Sequence, residues 1–202
     1  MVMRRAGMRL LGEAYIALAV VLATMAVFFA LDAYPTFALW TLEGSAIVWI
    51  GLRQQRFLAR LFGILLQFAG ALLFLSHYND YDRAQPWLND FILGCGLIAA
   101  AGVITAWLMH KHREVLIEGG DDAAMVILVW AVGWWFAGGL HALHDGLPRA
   151  DFHAAALIFA GTTFAVAETV GGWLDWRGLR LIARAHLPVI AIGILALGVL
   201  LI

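Results

Sequence analysis

Charge is what this sequence lacks most. Only 13% of its 202 residues are Asp, Glu, Lys or Arg, against about 25% in an ordinary soluble domain. Hydrophobic residues reach 63%, where about 45–50% is usual. A water-soluble fold of this composition could not cover its surface with polar groups. A bilayer removes that requirement, because lipid-facing side chains can be apolar all round. The formal net charge of −1 implies no nucleic-acid partner. The lone cysteine, Cys95, excludes an intrachain disulfide. Between Gly94 and Gly96 in an apolar run, it reads as a small packing residue. No phosphate-binding loop, nucleophile elbow, dinucleotide fingerprint or His-Glu-x-x-His motif is present, so no cofactor is expected.

What is there is a series of apolar runs. A membrane span needs about 20 apolar residues at 1.5 Å rise each. Seven candidates fall at roughly 13–31, 36–52, 57–76, 88–109, 123–143, 152–174 and 184–202. The first follows Arg4, Arg5 and Arg9 as a signal peptide would, but no small-x-small cleavage site precedes Asp32, so it reads as a retained anchor. The connections are short and hold nearly all the charges. The expected fold is therefore all-α: a polytopic transmembrane helix bundle in a single domain, 1–202.

Positive charge sets the expected orientation. Arg4, Arg5, Arg9, Arg53, Arg56, Arg60, Lys111, Arg113, Arg177, Arg180 and Arg184 fall on one side, and only Arg83 and Arg149 on the other. Eleven against two over short loops places the amino terminus in the cytoplasm and the carboxyl terminus of this chain outside. A shift of 127 residues lays Thr36-Phe37-Ala38 on Thr163-Phe164-Ala165, Gly44 on Gly171, Trp49 on Trp176 and Gly51-Leu52-Arg53 on Gly178-Leu179-Arg180. The second and sixth spans point the same way, so this predicts a parallel internal repeat of a four-span unit.

Gly12-Glu13-Ala14-Tyr15-Ile16-Ala17-Leu18, Ala38-Leu39-Trp40-Thr41-Leu42-Glu43-Gly44 and Trp49-Ile50-Gly51-Leu52-Arg53-Gln54-Gln55 carry a resemblance. They resemble the large bacterial multi-pass membrane proteins known as domain of unknown function 2339. The likeness is clearest over about residues 10–75. It implies a bacterial inner-membrane location and a chain that is a fragment or a reduced member. It supplies no activity and no catalytic residues.

Two carboxylates fall within spans. Glu43 sits near the middle of the second span, where an ionised carboxylate costs at least about 2.5–3.5 kcal/mol. It reads as a proton or cation site, or as one end of an interhelical hydrogen bond helped by Gly44 and Ser45. Glu168, in the sixth span, matches Thr41 in the repeat frame, so the two glutamates are not symmetry mates. Glu13 lies at the start of the first span, where a carboxylate favours the positive helix end.

On the outer face, His141, His144 and Asp145 share one helical face by their spacing. Asp151 and His153 follow, and His77 lies in another outer loop. Two imidazoles and a carboxylate suit a divalent metal such as zinc, with plain interfacial hydrogen bonding as the other reading. The loop 77–90 combines aromatics with carboxylates and reads as an aromatic belt or a sugar or cation site. Trp130, Trp134 and Trp135 lie mid-span and are candidates for lining a lipid groove. His110, Lys111, His112 and Arg113 are expected to meet anionic headgroups.

The leading functional reading is a non-enzymatic membrane module, a transport unit or a scaffold for envelope biogenesis. It rests on Glu43 and Glu168, the parallel repeat and the absence of catalytic motifs, and its expected partners are the lipid bilayer and other membrane subunits or remaining spans of a longer chain. The alternatives are an enzyme acting on a lipid-linked substrate at the outer face through the His/Asp cluster, and a purely structural segment of a larger protein. No catalytic residue is assignable.

Overall fold

The computed structural model describes residues 33–80, 86–116 and 119–185, and every regular element among them is helical. Six α-helices follow in order: α1 Ala33–Arg53, α2 Phe57–Ser76, α3 Asp90–Lys111, α4 Gly120–Gly146, α5 Arg149–Trp173 and α6 Arg177–Ala185. Among the described residues, α2, α3, α4 and α5 are long and apolar enough to cross a membrane. In α1 the mid-helix Thr41, Glu43 and Ser45 lower the apolarity. The candidate span 13–31 and nearly all of 184–202 lie outside the described residues.

Helix ends differ from the sequence expectation by a few residues, for local reasons. α1 starts two residues before Pro35, because first-turn N–H groups have no intrahelical acceptor and proline is tolerated there. α3 starts at Asp90 because the Asn89 side chain caps it, its Oδ1 accepting from the Ile92 N–H at 2.9 Å. α4 runs three residues further at each end than its apolar run, over Asp121, Asp122, His144 and Asp145.

Consecutive helices form hairpins. α1 packs chiefly on α2, α3 on α4 and α5 on α6, and α1 also contacts α3. Small residues at seven-residue spacing make the first two hairpins possible. Gly44 of α1 meets Gly63 of α2, while Gly51 seats against Arg60 and Gly70 against Phe37 and Thr41: a Cβ on Gly44 would lie 2.5 Å from the Gly63 carbonyl oxygen, and one on Gly63 equally close to that of Gly44. In the second seam Gly102 rests on Ala131, and Gly138 rests on Cys95. Buried Cys95 is thus the small packing residue its surroundings suggested. Phe74, fully buried, joins the hairpins by packing on Phe37, Phe91 and Trp134.

The turns gather into two faces. One holds the α1–α2, α3–α4 and α5–α6 connections with Arg53, Arg56, Lys111, Arg113, Arg177 and Arg180. There Arg60 donates through Nη1 to the Val115 carbonyl (3.0 Å), and His110 Nε2 lies 3.2 Å from the Asp175 carbonyl. Cation–ring stacking marks the same level, Arg53 over Trp49 and Lys111 over Trp107. The other face carries the α2–α3 and α4–α5 connections with His77, His141, His144 and His153.

One turn is built twice. Gln55 and Asp175 both adopt left-handed backbone, with φ of 56° and 47°. The Arg56 N–H bonds to Gly51 O at 2.9 Å, and the Trp176 N–H to Gly171 O at 2.8 Å, closing the same helix-ending motif. A Cβ on Gly51 or Gly171 would lie 2.8 Å from Cγ of Arg60 or Arg180 respectively. The two turns are related by 120 residues. A shift of 127 pairs Gly51-Leu52-Arg53, which close α1, with Gly178-Leu179-Arg180, which lie inside α6. Those residues occupy different structural places.

Candidate functional site

Three polar groupings interrupt the apolar helices. The deepest joins α1, α2 and α3. Gln67 Nε2 donates to Thr105 Oγ1 at 2.8 Å, Thr105 Oγ1 to Ser45 Oγ at 3.3 Å, and Ser45 Oγ to the Ala101 carbonyl at 3.0 Å. All three side chains are buried. Each hydroxyl accepts one bond and donates the next, so the chain ends on backbone and leaves no hydroxyl without a partner. Sequence reasoning missed this cluster. Its signal was Gln67, an isolated amide in a twenty-residue apolar helix. Glu43, two residues from Ser45, is half-buried and engaged by a neighbour.

Interhelical hydrogen bonds in membrane proteins average about 0.6 kcal/mol, up to about 1.7. A double-mutant cycle of Gln67→Leu and Thr105→Val, read by unfolding in micelles, is expected to give a coupling of about 0.6–1.7 kcal/mol. Additive losses would mean that the bond does not form.

The second grouping is Glu168 with Arg184. Glu168 lies five residues before the end of α5, toward the arginine-bearing face, and not at mid-membrane depth. Arg184 Nη2 donates to its carboxylate at 2.6 Å and Nε approaches both oxygens at 3.3 Å. This geometry ties α6 to α5. Glu43 and Glu168 therefore sit in different surroundings, on separate hairpins.

The third grouping is on the histidine-bearing face. Asp145 stands between two imidazoles: His144 Nδ1 lies 3.1 Å from Oδ1, and His141 Nε2 lies 3.3 Å from Oδ2. The His141 approach is within ion-pair distance but misses hydrogen-bond geometry, so it is the weaker contact. His141 packs edge-on against Phe91. His153 is one ring removed, reached from His144 through Phe152. His77 instead bonds within its own helix, Nδ1 lying 2.9 Å from the Leu73 carbonyl. Asp151 makes no side-chain hydrogen bond or ion pair with this group among the described residues. The structure thus brings together His141, His144 and Asp145, with His153 nearby, and leaves out His77 and Asp151. No group of three His, Cys, Asp or Glu side chains among the described residues converges to hold a metal ion.

Cavities open beside these groupings. An apolar groove of about 600 Å³ runs between α3, α4, α5 and α6, walled by Gly96, Ala131, Trp135, Phe159, Val166 and Leu179. Trp135 Nε1 donates across it to Thr163 Oγ1 at 3.2 Å. Of the three mid-span tryptophans only Trp135 lines the groove. Trp134 is buried against Phe74, and Trp130 packs on Phe68. Another cavity, about 470 Å³, opens at the arginine-bearing face around His110 and Trp176.

Apolar helical hairpins of membrane-crossing length, with polar side chains bonded to one another inside them, define a polytopic α-helical membrane protein. The chain belongs to the family described as Predicted membrane protein (DUF2339), whose model matches residues 1–202. Comparison with curated proteins and with solved structures finds no match.

Proposed function

We propose that the chain is a non-catalytic structural module of the bacterial inner membrane, a scaffold of the kind used in envelope biogenesis, with its amino terminus and arginine-bearing face in the cytoplasm. The observation that carries this is the closed Ser45–Thr105–Gln67 chain. These buried polar side chains serve to hold three helices together and end on a backbone carbonyl. Glycine seams fix the two hairpins around it. α5 supports the same reading. Of its 25 residues only Phe164 and Gly171 are buried, so most of its apolar surface is available to lipid or to further helices. With α1 counted as a span beside α2 to α5, the apolar runs 13–31 and 184–202 bring the expected span count to seven.

The enzyme reading is weaker. The Asp145 carboxylate is already shared by two imidazoles, and it is the only carboxylate drawn into that group among the described residues. The transport reading turns on Glu43. In proteoliposomes under a pH gradient, the scaffold reading expects a proton leak equal to that of protein-free vesicles, unchanged by Glu43→Gln. A protein-dependent flux abolished by Glu43→Gln would overturn it in favour of a transport unit.

A further inference from the structure

At the arginine-bearing face, the end of α3, the start of α4 and the α5–α6 turn enclose the cavity of about 470 Å³. That is within the range of about 300–1,000 Å³ typical of small-ligand sites. Its wall carries charges of both signs: Arg113 from the turn after α3, Asp121 and Asp122 from the first turn of α4, and Arg177 from the first turn of α6. None of these four makes an ion pair among the described residues, although they border one space. They contrast with Arg180 and Arg184 on the same helix, which are bonded to Asp175 and Glu168.

The rest of the wall is fixed or apolar. Trp176 is buried and stacked on His110, whose ring is itself held at the Asp175 carbonyl. Leu128 forms an apolar floor, and Leu181, well exposed, lies beside the opening. Acidic residues in the first turn of α4 suit the helix dipole, and arginines suit a cytoplasmic face. Neither preference explains why both signs border one cavity without pairing.

A ligand that satisfies this wall carries an anion and a cation a few bonds apart, with an apolar portion. We propose that the cavity is a headgroup site for a zwitterionic phospholipid with a primary ammonium, a phosphatidylethanolamine. Arg113 and Arg177 take the phosphate. Asp121 and Asp122 take the ammonium, which offers three N–H donors. The acyl chains leave past Leu181. The primary ammonium is the discriminating feature, because a trimethylated ammonium has no N–H to give a carboxylate.

The test uses the full chain in detergent, stripped of lipid and then offered equal amounts of phosphatidylethanolamine, phosphatidylcholine and phosphatidylglycerol. Native mass spectrometry counts what is retained. Retention of phosphatidylethanolamine over phosphatidylcholine by about tenfold or more is expected, the weight of one charge-assisted hydrogen bond. Asp121→Asn with Asp122→Asn should erase that preference and leave phosphatidylglycerol retention intact. Arg113→Gln with Arg177→Gln should lower retention of all three. Equal retention of phosphatidylethanolamine and phosphatidylcholine by the parent overturns the proposal. So does a parent preference for phosphatidylglycerol, which would mark a plain anion site. The parent comparison decides even if a variant fails to fold.

Discussion

Gly63→Ala is expected to destabilise the protein by about 1–3 kcal/mol, and Gly63→Leu to keep the α1–α2 hairpin from closing. The added Cβ would sit 2.5 Å from the Gly44 carbonyl oxygen and 2.9 Å from the Val48 backbone nitrogen. Both are main-chain atoms in the middle of a helix, so neither can swing aside. The helices would have to separate along their whole length, breaking the Gln67–Thr105 and Ser45–Ala101 bonds that depend on their spacing. Gly44→Ala should behave alike, for the reciprocal reason. The control is Gly133→Ala, where nothing lies within 4 Å of the new Cβ. There alanine's better helix propensity makes the change neutral or favourable by up to about 1 kcal/mol. Melting temperatures in one detergent compare the four variants with the parent. A neutral Gly63→Ala would mean that this seam is not in contact.

Much of the fold was legible because a bilayer enforces simple rules. Apolar length located α2 to α5 within a few residues, and charge at their ends located the turns. The ends themselves were less legible, because they depend on Asn89 capping α3 and on Pro35 fitting the first turn of α1, not on hydropathy. The 127-residue repeat is not confirmed, since its Gly-Leu-Arg match ends α1 in one copy and lies inside α6 in the other. Few residue types build these helices, so Gly-Leu-Arg recurs on opposite sides of equivalent turns. The likeness of the two turns, 120 residues apart, lies in backbone geometry and in the Gly51–Arg60 and Gly171–Arg180 contacts.

The polar residues were legible in type but not in partner. Spacing alone brought His141, His144 and Asp145 to one helix face, and the structure keeps them together. It could not show that His77 turns back on its own helix, or that Arg184 reaches Glu168 across a turn. Gln67 and Thr105 drew no notice, and Ser45 only as a small residue beside Glu43, because each is ordinary alone. Only the packing of three helices makes them a chain. The charged cavity was equally hidden, since its four charges, unpaired among the described residues, come from three separate segments.

The orientation of the hairpins is the claim on which the rest depends, and cysteine labelling tests it most directly. Buried Cys95 is the sole native cysteine, so the background is quiet. Gln54 and Asp151 are exposed on opposite faces, at the α1–α2 turn and in the first turn of α5. In intact cells a membrane-impermeant maleimide should label Asp151→Cys strongly, and should label Gln54→Cys only after the inner membrane is permeabilised. Labelling of Gln54→Cys in intact cells, or protection of Asp151→Cys, would contradict an arginine-bearing face in the cytoplasm.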